Sequence, residues 1–316
     1  MQEKNVKSLK VAVVGVGGVG GYLAGMLANA LPHVSISARG ARGTAIRENG
    51  IVLHSDYNGE IRAVPEHVYG STAELPPQDV IFLCVKNYSL EAACEELKGA
   101  VTPGTVIVPV MNGVDPAERT AALLGTGTVV SAIIYIVAFA NPDYSITQQG
   151  KFASLRIGIK DADETQKEKT ALAADVLAAA GIDVKISSDI EADVWRKYIL
   201  NCAYNVATAR YTCPIGGLRA DPVKSKEYEE LLRECTAVAV RKGVRVGDED
   251  VERNIYSFYN KLADTDTSSL QRDVEAGRPS ELETFSGYIV REGKRLGVPV
   301  PVSEAMYQAL LEITKG

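Results

Sequence analysis

Histidine is scarce in this 316-residue sequence, and the three that occur (His33, His54 and His67) all lie in its first quarter. Histidine is the side chain used most often for proton transfer, because its pKa lies close to neutrality. A proton donor in the second half of the chain must therefore be a Lys, Tyr, Cys, Asp or Glu side chain.

Cysteine pairs are also missing. Each of the five cysteines lies in a largely apolar segment, and no two form a C-x-x-C pair; they are Cys84, Cys94, Cys202, Cys213 and Cys235. An odd number of such thiols is typical of reduced core residues in a cytoplasmic protein. We therefore expect a cytoplasmic location, no structural zinc and no other bound metal.

The chain has neither a basic excess nor a long apolar run. Its 34 Lys and Arg residues face 40 Asp and Glu residues, a net charge of −6 that argues against a nucleic-acid surface. The most apolar run, residues 129–140, is shorter than the roughly 20 residues that cross a bilayer, so we expect no membrane partner. Residues 1–10 are polar and charged, which predicts no signal peptide.

A glycine motif follows the first apolar run. Residues 11–14 read Val-Ala-Val-Val, Gly15, Gly17 and Gly20 then have G-x-G-x-x-G spacing, and apolar residues recur afterwards at helical intervals. In a strand–turn–helix context these glycines allow a tight turn, a close approach to pyrophosphate and close helix packing. The alternative is an ordinary glycine-rich turn. We predict a dinucleotide site at Gly15, Val16, Gly17, Gly18, Val19 and Gly20.

Arg39 follows the predicted second strand, 19 residues beyond Gly20. An acidic residue at this position would accept a hydrogen bond from a ribose 2′-hydroxyl, whereas an arginine pairs with a 2′-phosphate. No Asp or Glu occurs between Val34 and Arg47. The sequence therefore favours NADP(H) over NAD(H), the alternative being that Arg39 is a solvated surface residue.

Two polar residues end apolar runs that are typical of buried parallel strands. Lys86 follows residues 79–85, and Asn112 follows residues 105–110 and Met111. Ligands of doubly wound sheets lie outside the carboxyl ends of the strands, so both residues are candidates for contact with a nicotinamide or a substrate. Each also has an ordinary explanation, as a solvated lysine and as part of an Asn-Gly turn.

The remaining patterns divide the chain into two domains. The sequence predicts a hairpin over residues 51–54 and 61–64. It predicts strands over 129–139, 144–147, 153–159 and 182–186, and a helix over 163–180. We expect a Rossmann-type doubly wound α/β domain over residues 1–187. The rest shows helical patterns with breaks at 214–217, 243, 265–267, 277–279 and 297–299, which predicts an all-α domain over residues 188–316.

One predicted helix of the second domain carries a polar face. Lys197, Asn201 and Asn205 are four residues apart, so they share one face over about 12 Å of helix. Burying such groups without partners costs roughly 1–3 kcal/mol each, so they need a ligand, water or another segment. The alternative is that the face is solvated.

A second polar cluster lies further along, in residues 267–281. Gly277 and Pro279 break one helix, and Ser280 is placed to cap the next, which would put Glu281 in its first turn, where negative charge suits the helix dipole. The alternative is that Glu281 directs its carboxylate towards a cleft near Lys197.

These features together resemble the ketopantoate reductase (2-dehydropantoate 2-reductase) family. The resemblance spans nearly the whole chain and rests on the motifs at Gly15–Gly20, Arg39, Lys86, Asn112-Gly113, Trp195–Asn205, Cys213-Pro214 and residues 268–281. It implies a Rossmann domain followed by a helical domain, with the active site between them. It also implies NADPH-dependent reduction of 2-dehydropantoate to D-pantoate, on the route to pantothenate and coenzyme A.

The resemblance also implies roles for individual residues. Lys197 would be the general acid that protonates the C2 oxygen, and Glu281 would orient cofactor, substrate or lysine. Asn201, Asn205 and Ser269 would hold the substrate, Lys86 and Asn112 would contact cofactor and substrate, and Ala138 would touch the nicotinamide side.

Departures from the family pattern occur at Met111, at Asp115 and over residues 137–139. They leave open a reductase of another branched or hydroxylated 2-oxo acid, and a non-catalytic NADP(H)-binding regulator, which would not need Lys197 and Glu281 together. The apolar helices of the second half are compatible with a homodimer interface and equally with core packing.

Overall fold

The computed structural model describes residues 6–315. The chain divides into two compact units, Met1–Ile190 and Glu191–Gly316. The first half of the polar segment 1–10, on which the absence of a signal peptide was predicted, lies outside the described residues. Within the described part, no helix combines the length and the apolar character needed to cross a bilayer.

The first unit contains strands and helices in alternation. Its strands are β1 (Val11–Val14), β2 (Val34–Ser37), β3 (Ile51–Ser55), β4 (Gly59–Ala63), β5 (His67–Tyr69), β6 (Val80–Leu83), β7 (Val106–Pro109), β8 (Thr128–Val129), β9 (Ser131–Ala140), β10 (Ile146–Gly158) and β11 (Asp183–Ile186). Its helices are α1 (Gly18–Ala30), α2 (Gly40–Asn49), α3 (Leu90–Leu97), α4 (Pro116–Leu124) and α5 (Glu164–Ala179).

Six of these strands form a parallel sheet in the order β5-β2-β1-β6-β7-β8. Every residue of β1, β6 and β7 is buried, because helices cover both faces of a sheet built from parallel crossovers. The order reverses at β1, so the crevice beside the carboxyl end of β1 is where such a sheet binds ligands. The predicted doubly wound α/β fold is confirmed.

A second sheet contains β11, β10, β3 and β4 in that order, with β9 paired to β10. The predicted hairpin is confirmed, since β3 and β4 are antiparallel with Leu53 opposite Ile61. The separate strands predicted at 144–147 and 153–159 are wrong. They form the single strand β10, whose register shifts between Gln149 and Ser154, and Gly150 takes up the shift at a φ of +81°.

All elements described in the second unit are helical. They are α6 (Ile190–Tyr211), α7 (Ile215–Arg219), α8 (Pro222–Arg241), α9 (Asp248–Asn260), α10 (Ser269–Glu275), a π-helical turn (Glu283–Gly287), α11 (Tyr288–Leu296) and α12 (Pro301–Lys315). The predicted helical second half is confirmed. The predicted break at 214–217 is wrong in part, because α7 begins inside it with Pro214 as its N-cap.

Candidate active site

The glycine turn between β1 and α1 leaves no room for side chains at two of its three motif positions. Gly15 has a φ of +90°, and a Cβ there would lie 2.8 Å from the carbonyl oxygen of Cys84. A Cβ at Gly20 would overlap the carbonyl oxygen of Gly15. Gly17 differs, since a Cβ there would meet no atom within 4 Å. The turn therefore packs tightly on its inner side and is open at Gly17.

The start of α1 lies against β9. A Cβ at Gly18 would overlap the backbone of Ala138, so the close approach of this strand requires glycine. Val16 is buried and Val19 is partly buried. No described side chain caps α1 at Gly17, which leaves the N–H groups of its first turn available to a ligand.

Arg39 is the N-cap residue of α2, two residues after the end of β2, and two-thirds of its side chain is exposed. Its guanidinium pairs with Glu96 at 2.5 Å. One turn further along, Arg42 donates a hydrogen bond to the carbonyl oxygen of Val16 in the glycine turn, and its guanidinium lies 5.5 Å from the ring centroid of Tyr144. Arg42 therefore stands beside the glycine turn, and Arg39 lies one helical turn before it on α2.

The strand ends that carry Lys86 and Asn112 are joined to each other. Asn87, which is 7% exposed, donates from its side-chain amide to the carbonyl oxygen of Asn112 at 2.8 Å. Arg119 donates to the side-chain oxygen of Asn87 at 3.3 Å. Because Asn87 holds both loops, Lys86 and Asn112 lie at one edge of the sheet, as the sequence predicts. Both side chains are partly exposed.

Lys197 lies in the second turn of α6, and its side chain is partly buried. Burial lowers the pKa of Lys197 to about 8, while the carboxylate of Glu281 acts in the opposite direction. The two residues predicted to act together are therefore close enough to interact electrostatically. An ammonium with a pKa near neutrality is a workable proton donor.

Glu281 is 4% exposed and precedes the helical segment that contains the π-helical turn. Its backbone carbonyl accepts hydrogen bonds from the N–H groups of Thr284 and Phe285. The prediction that Ser280 caps this helix and that Glu281 lies in its first turn is therefore wrong by one residue. Glu281 itself occupies the capping position, with Leu282 the first helical residue.

Asn205, the last residue of the polar face, lies next to the start of α10. The side-chain oxygen of Asn205 accepts hydrogen bonds from the Ser269 hydroxyl and the Leu270 N–H, both at 3.2 Å. Its amide group donates to the Asn201 carbonyl oxygen at 3.1 Å, which leaves one N–H for another partner. The Asn201 amide, partly exposed, has no hydrogen-bond partner among the described residues.

Within each unit, some of the predicted site residues lie close to one another. The first unit brings the glycine turn to Ala138 and joins Lys86 to Asn112; the second brings Lys197 to Glu281, and Asn205 to Ser269. Sequence reasoning assigned no role to Arg42, Asn87 and Glu96. It also assigned none to Tyr198, whose hydroxyl donates a hydrogen bond to the Thr284 carbonyl oxygen. Asn87 directly follows Lys86, and Arg42 lies one helical turn after Arg39, which is a usable signal. Glu96 meets Arg39 only through the tertiary fold.

All five cysteines are free thiols. Among residues 6–315, no three His, Cys, Asp or Glu side chains are grouped so that they could hold a metal ion. The groups available for chemistry are therefore the lysine, carboxylate, amide and hydroxyl side chains described above.

Comparison with known proteins gives the family. The profile described as "Ketopantoate reductase PanE/ApbA" matches residues 11–161, and the profile described as "Ketopantoate reductase PanE/ApbA C terminal" matches residues 189–314. The chain belongs to the ketopantoate reductase family. It is therefore an oxidoreductase that acts on a small molecule with a nicotinamide dinucleotide.

Individual relatives of the family resemble the chain over almost its full length. A 2-dehydropantoate 2-reductase of Mycobacterium tuberculosis (strain ATCC 25618 / H37Rv) is 29% identical over 97% of this chain and 98% of its own. An uncharacterized oxidoreductase of Bacillus subtilis (strain 168), YkpB, is 28% identical over 96% and 98%. The crystal structure of a PanE/ApbA family ketopantoate reductase from Ralstonia eutropha JMP134 superposes with a TM-score of 0.88, at 29% identity, over 97% and 99%.

Proposed function

We propose that this chain reduces 2-dehydropantoate to D-pantoate with NADPH, as a step of pantothenate and coenzyme A biosynthesis in the cytoplasm. The observation that carries the proposal is a lysine on the polar face of α6, Lys197, whose pKa burial lowers to about 8 while the charge of Glu281 acts on it in the opposite direction. Membership of the ketopantoate reductase family and the name of the Mycobacterium relative support the choice of substrate.

The first unit fits a dinucleotide. The open space at Gly17 and the uncapped start of α1 suit a pyrophosphate, and the guanidinium of Arg39 suits a 2′-phosphate. We assign residues 1–187 to cofactor binding and 188–316 to substrate binding and proton transfer. NADPH, when bound, supplies the hydride for the C2 carbon. Lys86, Asn112, Ala138 and Glu281 are the further residues proposed to contact it.

Lys197 acts on the oxygen of the same carbonyl. Hydride arrival builds negative charge on that oxygen, so an ammonium group held beside it stabilises the transition state more than the ground state. Because its pKa lies near 8, Lys197 is charged at neutral pH and gives up its proton readily. Glu281 keeps the lysine protonated by its nearby negative charge.

The amide and hydroxyl groups beside Lys197 are proposed to hold the substrate. Asn201 offers a partly exposed amide, and Ser269 offers a hydroxyl whose position Asn205 fixes. A 2-oxo acid with a further hydroxyl presents carboxylate and hydroxyl oxygens that such groups bind. Asn112 would contact the substrate from the first unit.

A second candidate is a reductase of another 2-oxo acid. Val137 and Phe139 flank Ala138 on β9 beside the start of α1, and they are 43% and 37% exposed. Two apolar side chains exposed next to a cofactor helix favour an apolar substrate group. Met111, the other bulky departure, does not support this candidate, because it is buried in the core of the first unit.

A substrate panel tests the proposal. Purified protein is mixed with NADPH or NADH and with 2-dehydropantoate, 2-oxoisovalerate or phenylglyoxylate, and the loss of reduced-nicotinamide absorbance is followed. We expect the highest kcat/KM with NADPH and 2-dehydropantoate. A preference for one of the other acids would establish the second candidate instead, and cofactor binding without turnover on any acid would point to a regulator.

A further inference from the structure

Glu96 is an acidic residue at the position where the cofactor's 2′-phosphate is expected. Arg39 follows β2, and the group that distinguishes NADPH from NADH lies at the carboxyl end of this strand in doubly wound sheets. The sequence between Val34 and Arg47 contains no acid, but the fold supplies one from α3. The Glu96 carboxylate lies 2.5 Å from the Arg39 guanidinium.

The fold holds Glu96 at this place. Four residues on one face of α3 are buried, which fixes the rotation of the helix; they are Leu90, Ala93, Cys94 and Leu97. Ser37 at the end of β2 is joined to Thr72 by a hydroxyl–hydroxyl hydrogen bond of 2.9 Å. The neighbouring Ser71 hydroxyl lies 3.5 Å from Glu96. The end of β2, the short helical turn Thr72–Glu74 and α3 therefore form one connected structure around Arg39.

The charge of Glu96 acts against a 2′-phosphate and in favour of a 2′-hydroxyl. A phosphate that pairs with Arg39 must share the guanidinium with a carboxylate of like charge, and Glu96 is only 28% exposed, so water screens the repulsion incompletely. A ribose 2′-hydroxyl, in contrast, can donate a hydrogen bond to a carboxylate.

We propose that Glu96 determines how strongly the chain discriminates between NADPH and NADH. With Arg39 alone, the site would select the phosphorylated cofactor; the carboxylate beside it lowers the affinity for NADPH and raises the affinity for NADH. The chain thus binds both cofactors, and its preference for NADPH over NADH is smaller than Arg39 alone would give. This inference rests on the proposed use of a nicotinamide dinucleotide and refines it.

The test compares two variants of α3 that remove the same charge. Glu96→Gln keeps the size of the side chain but removes the negative charge next to Arg39. Glu95→Gln is the matched control, because Glu95 is 72% exposed and pairs with Lys98 instead. Dissociation constants for NADPH and NADH are measured by isothermal titration calorimetry for wild type and both variants, at low and at high salt.

We expect Glu96→Gln to tighten NADPH binding about threefold to tenfold and to weaken NADH binding, with the NADPH effect smaller at high salt. Glu95→Gln should leave both constants unchanged. Equal changes in the two dissociation constants would overturn the inference. Weaker NADPH binding by Glu96→Gln would also overturn it, because it would show that Glu96 orients Arg39 for the phosphate. Normal cofactor binding without reduction of 2-dehydropantoate would instead refute the proposed function and leave the role of Glu96 standing.

Discussion

The hydroxyl of Tyr198 donates a hydrogen bond to the backbone carbonyl of Thr284 at 2.6 Å. Tyr198 is the residue after Lys197 on α6, and Thr284 lies three residues after Glu281 in the π-helical turn. This bond ties the lysine helix to the carboxylate segment. The ring of Tyr198 is held in turn by edge-on contacts with Trp195 and Tyr288 at 5.6 and 5.8 Å.

Replacing Tyr198 with Phe should loosen Glu281 without removing either charged residue. The variant leaves the Thr284 carbonyl without its donor, which costs about 1 kcal/mol of stability. We expect kcat to fall severalfold. Because Glu281 raises the pKa of Lys197, the alkaline fall in activity should also begin at lower pH.

Tyr228→Phe provides the control for this experiment. Tyr228 is completely buried, and its hydroxyl has no hydrogen-bond partner among the described residues, so its removal breaks no bond. This variant should keep wild-type kcat and pH dependence. Identical pH profiles for Tyr198→Phe and wild type would show that the bond does not position Glu281.

Replacing Lys197 with Met should remove the proton donor while preserving most of the side-chain volume. General acid catalysis contributes about 100- to 10,000-fold, so we expect kcat to fall by a factor in this range. Calorimetry should show unchanged NADPH affinity. Lys226→Met, which removes a charge from an exposed position on α8, should have wild-type activity. Retention of wild-type turnover by Lys197→Met would exclude the lysine from the mechanism.

The pH dependence of kcat should follow the protonation of Lys197. Burial lowers the pKa of this lysine to about 8, so the donor is present below pH 8 and is lost above it. The rate should therefore be constant on the acid side of 8 and fall on the alkaline side. In Glu281→Gln the opposing carboxylate is gone, the pKa of the lysine falls further, and the alkaline fall should move to lower pH.

Glu275→Gln is the comparison for the pH measurement, since Glu275 is exposed at the end of α10. This variant should leave the pH at which kcat falls unchanged. An alkaline limb that stays at the same pH in Glu281→Gln would mean that Glu281 does not act on the charge of Lys197.

Much of this arrangement could be predicted because it is local in sequence. The burial of β1, β6 and β7 follows from continuous apolar runs, and the strand ends then place Lys86 and Asn112. The four-residue spacing likewise places Lys197, Asn201 and Asn205 on one helix face. Such patterns indicate which side of an element is buried, and they indicate which residues come directly after a strand.

The partners of these residues could not be predicted in the same way. Arg39 and Glu96 are 57 positions apart, and Tyr198 and Thr284 are 86 apart, so no local periodicity connects them. The single strand β10 was missed for a related reason. Gly150 is a turn signal in isolation, but in the folded sheet it accommodates a shift of register against β9.

Asn205 and Ser269 should differ in their effect on stability. Asn205→Ala leaves the buried Leu270 N–H without an acceptor, which costs about 1–3 kcal/mol. Ser269→Ala keeps that bond and loses only the hydroxyl contact, so it should cost about 0.5–1.5 kcal/mol. Urea unfolding measures the difference, and equal destabilisation would contradict it. Ser269→Ala should also raise the KM for the 2-oxo acid but not for NADPH.

The glycine turn allows its structural and ligand-binding roles to be separated. In Gly20→Ala the new methyl group overlaps the backbone of Gly15, so α1 must move, at a cost of about 1–3 kcal/mol. In Gly17→Ala the methyl group enters open space at a φ of −89°, which alanine adopts without strain. Thermal unfolding should therefore show a lower Tm for Gly20→Ala and an unchanged or slightly raised Tm for Gly17→Ala.

The effects of Gly17→Ala on NADPH affinity and on Tm should differ. If the pyrophosphate lies against the open face of the turn, the methyl group of Gly17→Ala takes its place, and we expect NADPH binding to weaken at least about tenfold in a protein that is fully folded. Calorimetric titration with NADPH measures this effect directly. A methyl group at the point of contact would have to weaken pyrophosphate binding. Wild-type NADPH affinity in Gly17→Ala would therefore show that the pyrophosphate does not approach the backbone at Gly17.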